Sequence, residues 1–194
     1  MVEQLICNQQ VVGSSPIGSS IIMKNHSIIF DDFYKDPYVV RNKALSTDFY
    51  YRDQLQFDQG NLTDEDRLNL MNNTNYHGCR TVTTNKDTEL ITNLKKIVQL
   101  KDVRSFFHLY LESDNNEDIH RDEVISSWAG IIYLTPNPAL ESGTRIFNDK
   151  EKEFPVENVF NRLLLWNPAL LHGVGKPFGN NKETGRLTQV FTIS

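Results

Sequence analysis

The sequence predicts an α+β protein whose C-terminal half is a two-sheet jelly roll. Helix-like patterns, with apolar residues at helical spacing, lie in the first hundred residues. From Ser105 onward the pattern changes to short aliphatic and aromatic runs separated by Pro and Gly. Helices first and many short strands later are typical of an α+β domain that contains two packed sheets.

Length and composition fit a single domain preceded by an arm. The 194 residues are 39% hydrophobic and 23% charged, which is ordinary for a protein with a sizeable core. Residues 1–26 are polar and Gly-Ser-rich and are predicted as an arm with one short strand near Ser20–Met23. Residues 27–194 are predicted as the domain, with helical support and a loop in 27–104 and the jelly-roll core in 105–194.

Charge and cysteine content exclude several classes of protein. The formal charge of −5 argues against a broad nucleic-acid interface, although a local basic groove stays open. Cys7 and Cys79 have no metal-binding spacing and make no disulfide framework, so we expect a reducing, cytoplasmic location. No apolar run approaches membrane-spanning length, and the N-terminus lacks the basic segment of a signal peptide.

The N-terminal half is predicted to hold one strand, Ser27–Phe30, and two main helices. Asp36 can cap a helix that runs to about Ser46, and Pro37 suits its first turn. The apolar side of this helix is predicted to consist of Val39, Val40 and Leu45. A second helix is predicted over Thr88–Leu100.

Residues 50–85 are predicted as a long loop with a short helix after Thr63. Long loops on compact domains often act as lids, so this loop could close over a site. Its aromatic and basic residues are Tyr50, Tyr51, Arg52, Tyr76, His77 and Arg80. The predicted strands of the second half are 105–112, 127–134, 144–147, 162–166, 170–174 and 186–193.

His120 and Asp122 are candidates for binding a metal ion. Two residues apart on an extended segment, they face the same way and can reach one ion together. Such a pair occurs by chance in roughly half of sequences with this content of histidine and acidic residues. Only the surrounding sequence can therefore indicate whether the pair binds a metal. The alternative is a surface histidine and aspartate at the junction of a loop and a strand.

His172 is the best candidate for a third ligand. It lies in the apolar run Leu170–Val174, where without a metal it would be a core histidine satisfied by the backbone. Two histidines and one carboxylate on one side of an ion leave the other positions open, which suits non-haem Fe(II) oxygen chemistry. Together and in this order, the three residues favour a metal site.

Arg186 is predicted to lie beside this site. A segment rich in Gly and Pro precedes it, so the strand that carries His172 is expected to pair with the last strand, with Val174 opposite Arg186. His172 then opposes Thr188, and the guanidinium faces the metal at about 7 Å along the sheet. The planar guanidinium group can donate two hydrogen bonds to one carboxylate. The alternative is a solvated arginine at the edge of the sheet.

These residues resemble the Fe(II)/2-oxoglutarate-dependent dioxygenases. The resemblance rests on His120-x-Asp122, His172 and Arg186-x-Thr188, covers about half of the chain, and is closest to the prolyl 4-hydroxylase-like branch and small phage and bacterial oxygenases. It implies a double-stranded β-helix, a cupin-like jelly roll with supporting N-terminal helices. The 14 positions between His172 and Arg186 exceed the usual interval, and the insert at 179–182 accounts for the difference.

The resemblance assigns roles to seven residues. The implied iron ligands are His120, Asp122 and His172. Arg186 would bind the distal carboxylate of 2-oxoglutarate, and Thr188 stands where some members place a hydroxyl beside that arginine. Tyr110 and Tyr133 lie where a co-substrate-binding tyrosine is expected, and ordinary core filling explains each equally well.

The implied activity is hydroxylation by dioxygen, coupled to conversion of 2-oxoglutarate into succinate and CO2, with ascorbate as a supporting reductant. The substrate would be a peptide side chain or a small molecule, and a nucleobase also fits the aromatic and basic loop. A cupin-like module that binds a metal or small molecule without oxidising anything is the alternative. A structural jelly roll without metal is the third possibility.

Overall fold

The computed structural model describes residues 21–24, 27–51, 62–71, 77–84, 87–114, 119–122, 126–148, 150 and 152–194. Within these residues the chain forms three α-helices and two β-sheets. The helices are α1 (Pro37–Leu45), α2 (Asp64–Met71) and α3 (Thr88–Leu94). The predicted arm, residues 1–20 above all, lies largely outside the described residues, and the predicted domain boundaries stay predictions.

The strands are short and all their pairings are antiparallel. They are β1 (Ile21–Lys24), β2 (Ser27–Phe30), β3 (Tyr50–Tyr51), β4 (Cys79–Arg80), β5 (Val103–Tyr110), β6 (Ile119–His120), β7 (Trp128–Tyr133), β8 (Thr144–Phe147), β9 (Glu153–Val156), β10 (Leu163–Trp166), β11 (His172–Val174) and β12 (Arg186–Ile193). The large sheet has the order β1-β2-β10-β7-β12-β5-β4-β3, and the small sheet has the order β6-β11-β8-β9.

Two hydrophobic cores place the large sheet in the middle of the molecule. One core joins α1 and α3 to one face of the large sheet and includes Leu187 and Phe191 of β12. The other joins the opposite face to the small sheet and includes Tyr133, Ile146 and Trp166. Side chains alternate along a strand, so Arg186 and Thr188 of β12 must face the space between the sheets.

The α+β class and the two-sheet arrangement agree with the prediction. The strands at 27–30, 144–147 and 186–193 have the predicted bounds, and the other predicted strands differ from theirs by one or two residues. Asp36 caps α1 as predicted, because its carboxylate accepts hydrogen bonds from the backbone N–H groups of Tyr38 and Val39. Thr63 and Asp66 form a similar cap on α2.

Two predictions about the N-terminal half are wrong. Val39 is 60% exposed, whereas α1 buries Val40, as predicted, together with Ala44. The helix from Thr88 ends at Leu94, not Leu100, because the next backbone hydrogen bonds tighten to a three-residue spacing.

The predicted loop 50–85 is partly ordered into the sheet. Cys79 and Arg80 form a two-residue strand on the free edge of β5, and Tyr50 and Tyr51 pair with them. Such short strands carry no recognisable sequence period. None of the described helices is both long enough and apolar enough to cross a lipid bilayer.

Candidate metal and co-substrate site

The three predicted metal ligands converge at one point of the small sheet. β6 and β11 pair with His120 directly opposite His172, and their ring centroids are 4.5 Å apart. The Asp122 carboxylate lies between the imidazoles, with one oxygen 3.6 Å from His120 Nε2 and the other 3.7 Å from His172 Nε2. One donor atom from each residue lies within 4.8 Å of the others.

These donors fit a divalent first-row metal ion. Two atoms bound at about 2.1 Å to one ion and at right angles to each other are about 3 Å apart, so small side-chain rotations would close this set on an ion. Two imidazoles and one carboxylate are the donor types of the non-haem iron facial triad. His120 and His172 lie on the adjacent strands β6 and β11, and Asp122 follows β6, so all three come from one side and the opposite side of the ion would stay open.

The hydrogen bond of His172 fixes which ring nitrogen can bind a metal. Its Nδ1 lies 2.9 Å from the backbone carbonyl of Leu170, which can only accept, so Nδ1 carries the proton. Nε2 therefore presents its lone pair, and it is Nε2 that lies near Asp122. His172 is buried, and its ring packs 5.0 Å from the ring of Trp166.

A tight turn between β10 and β11 holds this set of ligands together. The side chain of Asn167 accepts a hydrogen bond from the N–H of Ala169, and its carbonyl accepts one from Leu170. The carbonyl of Pro168 accepts the N–H of Asp122, and the carbonyl of Leu170 accepts Nδ1–H of His172. One turn therefore positions two of the three ligands through its main chain.

The site is buried on the His172 side and open on the His120 side. Some 44% of the His120 side chain and 36% of the Asp122 side chain are exposed, against 8% for His172. The buried indole N–H of Trp166 has no hydrogen-bond partner among the described residues. A ligand oxygen within its reach would remove that cost.

The predicted pairing of the last two strands is wrong. β11 pairs with β6 and β8 in the small sheet, whereas β12 pairs with β5 and β7 in the large sheet. The segment 175–185 is therefore a crossover between sheets, and Thr188 opposes His108 and Tyr133 instead of His172.

Arg186 nevertheless reaches the level of the metal ligands across the space between the sheets. Its Nε donates to the carbonyl of Ser142 at 2.6 Å, and Nη2 donates to the carbonyl of Gly143 at 3.1 Å and contacts Thr144 Oγ1 at 3.5 Å. Thr144 pairs with Val174, which is two residues from His172 on β11. Two residues of strand span about 7 Å, so Thr144, which Arg186 contacts, lies about that far along the small sheet from the position of His172.

The other predicted co-substrate residues share this face of the large sheet. Tyr110 lies opposite Arg186, and Tyr133 lies opposite Thr188, and all four are buried. The Tyr133 hydroxyl donates to Thr144 Oγ1 at 2.8 Å, and the Arg186 Cζ lies 5.5 Å from the Tyr133 ring centroid.

Burial sets the protonation of these groups. It raises the pKa of the Tyr133 phenol, which is therefore a neutral donor. It lowers the pKa of the Arg186 guanidinium, and the neighbouring tyrosines oppose that shift. An arginine keeps its charge even so.

Two further residues lie on this face: His108, which was not identified from the sequence, and Arg80, which was predicted as part of a lid loop. His108 opposes Thr188, and Arg80 opposes His108 on the next strand. Burial lowers the pKa of His108 to about 4, although the hydrogen bond between its Nε2 and the carbonyl of His77 at 2.6 Å counteracts this. The two-residue spacing from Tyr110 was the signal that could have found His108.

Four of the six predicted lid residues lie in the described part of the chain, and two do not. Arg80 belongs to β4, and the carbonyl of His77 contacts the His108 ring. Tyr50 and Tyr51 form β3 at the edge of the large sheet. Arg52 and Tyr76 lie outside the described residues.

Comparisons with known proteins agree with the fold. No protein-family model and no curated protein sequence matches the chain. The structure is similar to a prolyl-4-hydroxylase of Pseudomonas putida, with 15% identity and a TM-score of 0.55 over 87% of this chain and 92% of that one. It is also similar to a prolyl 4-hydroxylase of Phytophthora capsici, with 11% identity and a TM-score of 0.53 over 88% of this chain and 59% of that one. The predicted resemblance to prolyl 4-hydroxylases is therefore confirmed at the level of the fold.

Proposed function

We propose that this chain, folded like the prolyl 4-hydroxylases, is an Fe(II)- and 2-oxoglutarate-dependent oxygenase. The observation that carries the proposal is the convergence of His120, Asp122 and His172 at one point, with the buried Arg186 guanidinium at a neighbouring level of the facing sheet. We propose further that the two sheets form a double-stranded β-helix and that the substrate is a peptide side chain or a small molecule.

In this proposal, His120, Asp122 and His172 hold the iron on one side. Bound iron would supply the activation of dioxygen that couples 2-oxoglutarate decarboxylation to hydroxylation of the substrate. The turn at Asn167–Leu170 would keep His172 in the tautomer that binds through Nε2. The open side at His120 would admit dioxygen and substrate.

Arg186 would bind the distal carboxylate of 2-oxoglutarate. Its Nε and Nη2 donate hydrogen bonds to the carbonyls of Ser142 and Gly143. A carboxylate would therefore accept a hydrogen bond from Nη1 or would displace one of these two carbonyls. Tyr133 and Thr188 would add neutral hydroxyl groups beside the guanidinium, and Tyr110 would flank it. The burial of these residues would keep bulk water from the co-substrate.

Consumption of the co-substrate tests the proposal. The protein, loaded with Fe(II) in air with ascorbate as reductant, should form succinate from 2-oxoglutarate slowly in the absence of substrate. His172→Ala should abolish succinate formation while the fold, followed by circular dichroism, is retained. A folded, metal-loaded parent that neither binds nor consumes 2-oxoglutarate would refute the proposal.

A cupin-like module that binds metal without oxygenase activity is the second candidate. The observation that favours it is the pair of main-chain carbonyls on Arg186, because a guanidinium that ties two sheets together needs no ligand. This candidate expects metal binding that is independent of 2-oxoglutarate. The oxygenase expects 2-oxoglutarate to bind only when both the metal and Arg186 are in place.

A further inference from the structure

A cavity on the helix-facing side of the large sheet is separate from the metal site. Its volume is about 300 Å³, and it lies where the C-terminal end of α1 and the segment before α3 meet the edge of β5. Gln189 and Phe107 line it, and along their strands they alternate with Thr188 and His108, which face the space between the sheets. The large sheet therefore stands between this cavity and the metal ligands.

Charged side chains line the mouth of this cavity. Lys43 and Asp48 are exposed at the end of α1, and Asp87 lies opposite them before α3. The Asp48 carboxylate has no hydrogen-bond or ion-pair partner within the part of the chain that the structure describes. Two carboxylates and one ammonium group carry charge among the described lining residues, so the wall of the cavity is net negative.

The Asp87 carboxylate is held in a defined orientation. One oxygen accepts the N–H of Leu90 at 3.1 Å, and the other accepts a hydrogen bond from Gln189 Nε2 at 2.9 Å and lies 3.6 Å from Lys43 Nζ. Gln189 is fixed in turn by the Tyr34 hydroxyl, which donates to its Oε1 at 2.6 Å. A carboxylate that is already oriented loses little conformational freedom when a ligand binds.

A buried hydroxyl in the wall of the cavity lacks a partner. Ser105 is 2% exposed, and its backbone N–H and carbonyl both form hydrogen bonds with Thr84. Its Oγ has no hydrogen-bond partner among the residues that the structure describes. Buried hydroxyl groups are normally hydrogen-bonded, so this one indicates a polar group that enters the cavity.

We propose that this cavity is a second ligand site, which binds a small organic amine. A protonated amine has three N–H donors, and the cavity offers it the carboxylates of Asp48 and Asp87 and the hydroxyl of Ser105. The apolar part of the ligand would pack on Val82 and Phe107. The site is independent of the proposed oxygenase activity, because the sheet separates it from the metal ligands.

The size and charge of the cavity limit the ligand further. A volume of about 300 Å³ is at the lower end of the range for small-molecule sites, so the ligand has few atoms. The Lys43 side chain is 59% exposed, and an exposed ion pair such as that of Lys43 with Asp87 contributes little. An ammonium ligand can therefore take the place of Lys43 beside Asp87.

Matched probes test this site without a known ligand. The full-length protein would be titrated calorimetrically with butylamine and benzylamine, and with their neutral counterparts butanol and benzyl alcohol. Norvaline and phenylglycine, which add a carboxylate to the same two amines, form a separate arm. We expect at least one amine to bind at least about tenfold more tightly than its alcohol, because only the ammonium group forms charge-assisted hydrogen bonds.

Four variants assign the binding to this cavity. Asp48→Asn and Ser105→Ala should each weaken binding of the preferred amine by about three- to tenfold, because each removes one acceptor. Lys43→Ala should leave the amine affinity unchanged or raise it, because it removes a positive charge from the wall. Asp32→Asn is the matched control, since Asp32 is exposed and does not line the cavity, and it should keep the affinity of the parent.

Several outcomes would overturn the proposal. It is wrong if no amine is preferred over its alcohol, or if Asp48→Asn or a folded Ser105→Ala binds the preferred amine as tightly as the parent. An amino acid that binds more tightly than its matching amine, with Lys43→Ala removing the difference, would overturn the simple amine as the ligand. If Ser105→Ala does not fold, Asp48→Asn carries the comparison, because Asp48 is exposed.

The same titration separates this site from the metal site. Each amine is titrated into the protein alone and into the anaerobic protein loaded with Fe(II) and 2-oxoglutarate, and the two affinities should agree. An amine that binds only when Fe(II) is present would lie at the metal, which would overturn a site on the helix-facing side. If the protein binds neither Fe(II) nor 2-oxoglutarate, the oxygenase proposal fails, and the titrations of the protein alone still decide the amine site.

Discussion

Replacing Arg186 by alanine should weaken 2-oxoglutarate binding strongly. The guanidinium is buried, with 3% of the residue exposed, and lies beside Tyr133 and Thr144. A charge-assisted pair with a carboxylate is worth about 1.5–3 kcal/mol. Since about 1.4 kcal/mol corresponds to a factor of ten, Arg186→Ala should reduce the affinity by about ten- to a few-hundredfold.

The same substitution has a structural cost that must be separated from binding. The carbonyl of Ser142 loses the Arg186 donor, whereas the carbonyl of Gly143 keeps the N–H of Gly175, and a buried group left without a partner costs about 1–3 kcal/mol. The free energy of unfolding should therefore fall in Arg186→Ala. Arg186→Lys should recover part of the 2-oxoglutarate affinity, because it restores the charge but not the planar fork.

Calorimetric titration of 2-oxoglutarate into anaerobic, Fe(II)-loaded protein measures this effect, with denaturant unfolding as the check on folding. Arg145→Ala is the control, because Arg145 faces outward from the small sheet and pairs with Glu153. Fe(II) affinity should be nearly unchanged in all variants, since Arg186 is not a ligand. Equal 2-oxoglutarate affinities in the parent, Arg186→Ala and Arg186→Lys would refute the role of this arginine.

Three further changes test neighbouring parts of the account. Because the pKa of His108 is low in the folded state, the unfolded chain binds a proton below about pH 6.5, whereas the folded chain binds it only near pH 4. The contribution to the free energy of unfolding is therefore complete above pH 6.5 and falls by at most about 3 kcal/mol as the pH is lowered to 4. Urea unfolding of His108→Gln should lack this loss, and the same pH dependence in the variant and the parent would contradict the expectation. Asn167→Ala should loosen the turn that positions the ligands and lower Fe(II) affinity by about tenfold in metal-competition titrations, whereas an unchanged affinity would remove the turn from the account. Tyr133→Phe deletes the hydroxyl bonded to Thr144 and should weaken 2-oxoglutarate binding by about three- to tenfold, with no change expected if the tyrosine only fills the core.

The elements with a clear sequence period were predicted well. The strand at Arg186–Ile193 follows Gly185 and is rich in aliphatic, aromatic and β-branched residues, and α1 begins at an Asp-Pro cap, so both have local causes. The convergence of His120 and Asp122 also has a local cause, because two-residue spacing in an extended segment fixes a shared face. The prediction for His172 assumed that a strand distant in sequence lies beside the segment that carries His120. The register of β6 and β11 agrees with that assumption.

The sequence did not predict which strands pair with each other. A Gly- and Pro-rich segment such as 175–185 serves a hairpin and a crossover between sheets equally well, and the choice depends on how the two hydrophobic cores close. The position of Arg186 opposite Tyr110 follows from that choice. Arg80 was predicted in a lid loop and lies instead in a strand, because a two-residue strand is stabilised by its neighbour β5 and has no pattern of its own.

The most direct test of the account is an anaerobic titration of Fe(II) and 2-oxoglutarate into the parent and into His172→Ala. The parent should bind one Fe(II) per chain and develop the weak visible absorption band that requires metal and 2-oxoglutarate together at one site. His172→Ala should keep its fold and show neither stoichiometric binding nor the band. Iron bound as tightly by His172→Ala as by the parent, or an iron-loaded parent without the band, would contradict the central claim.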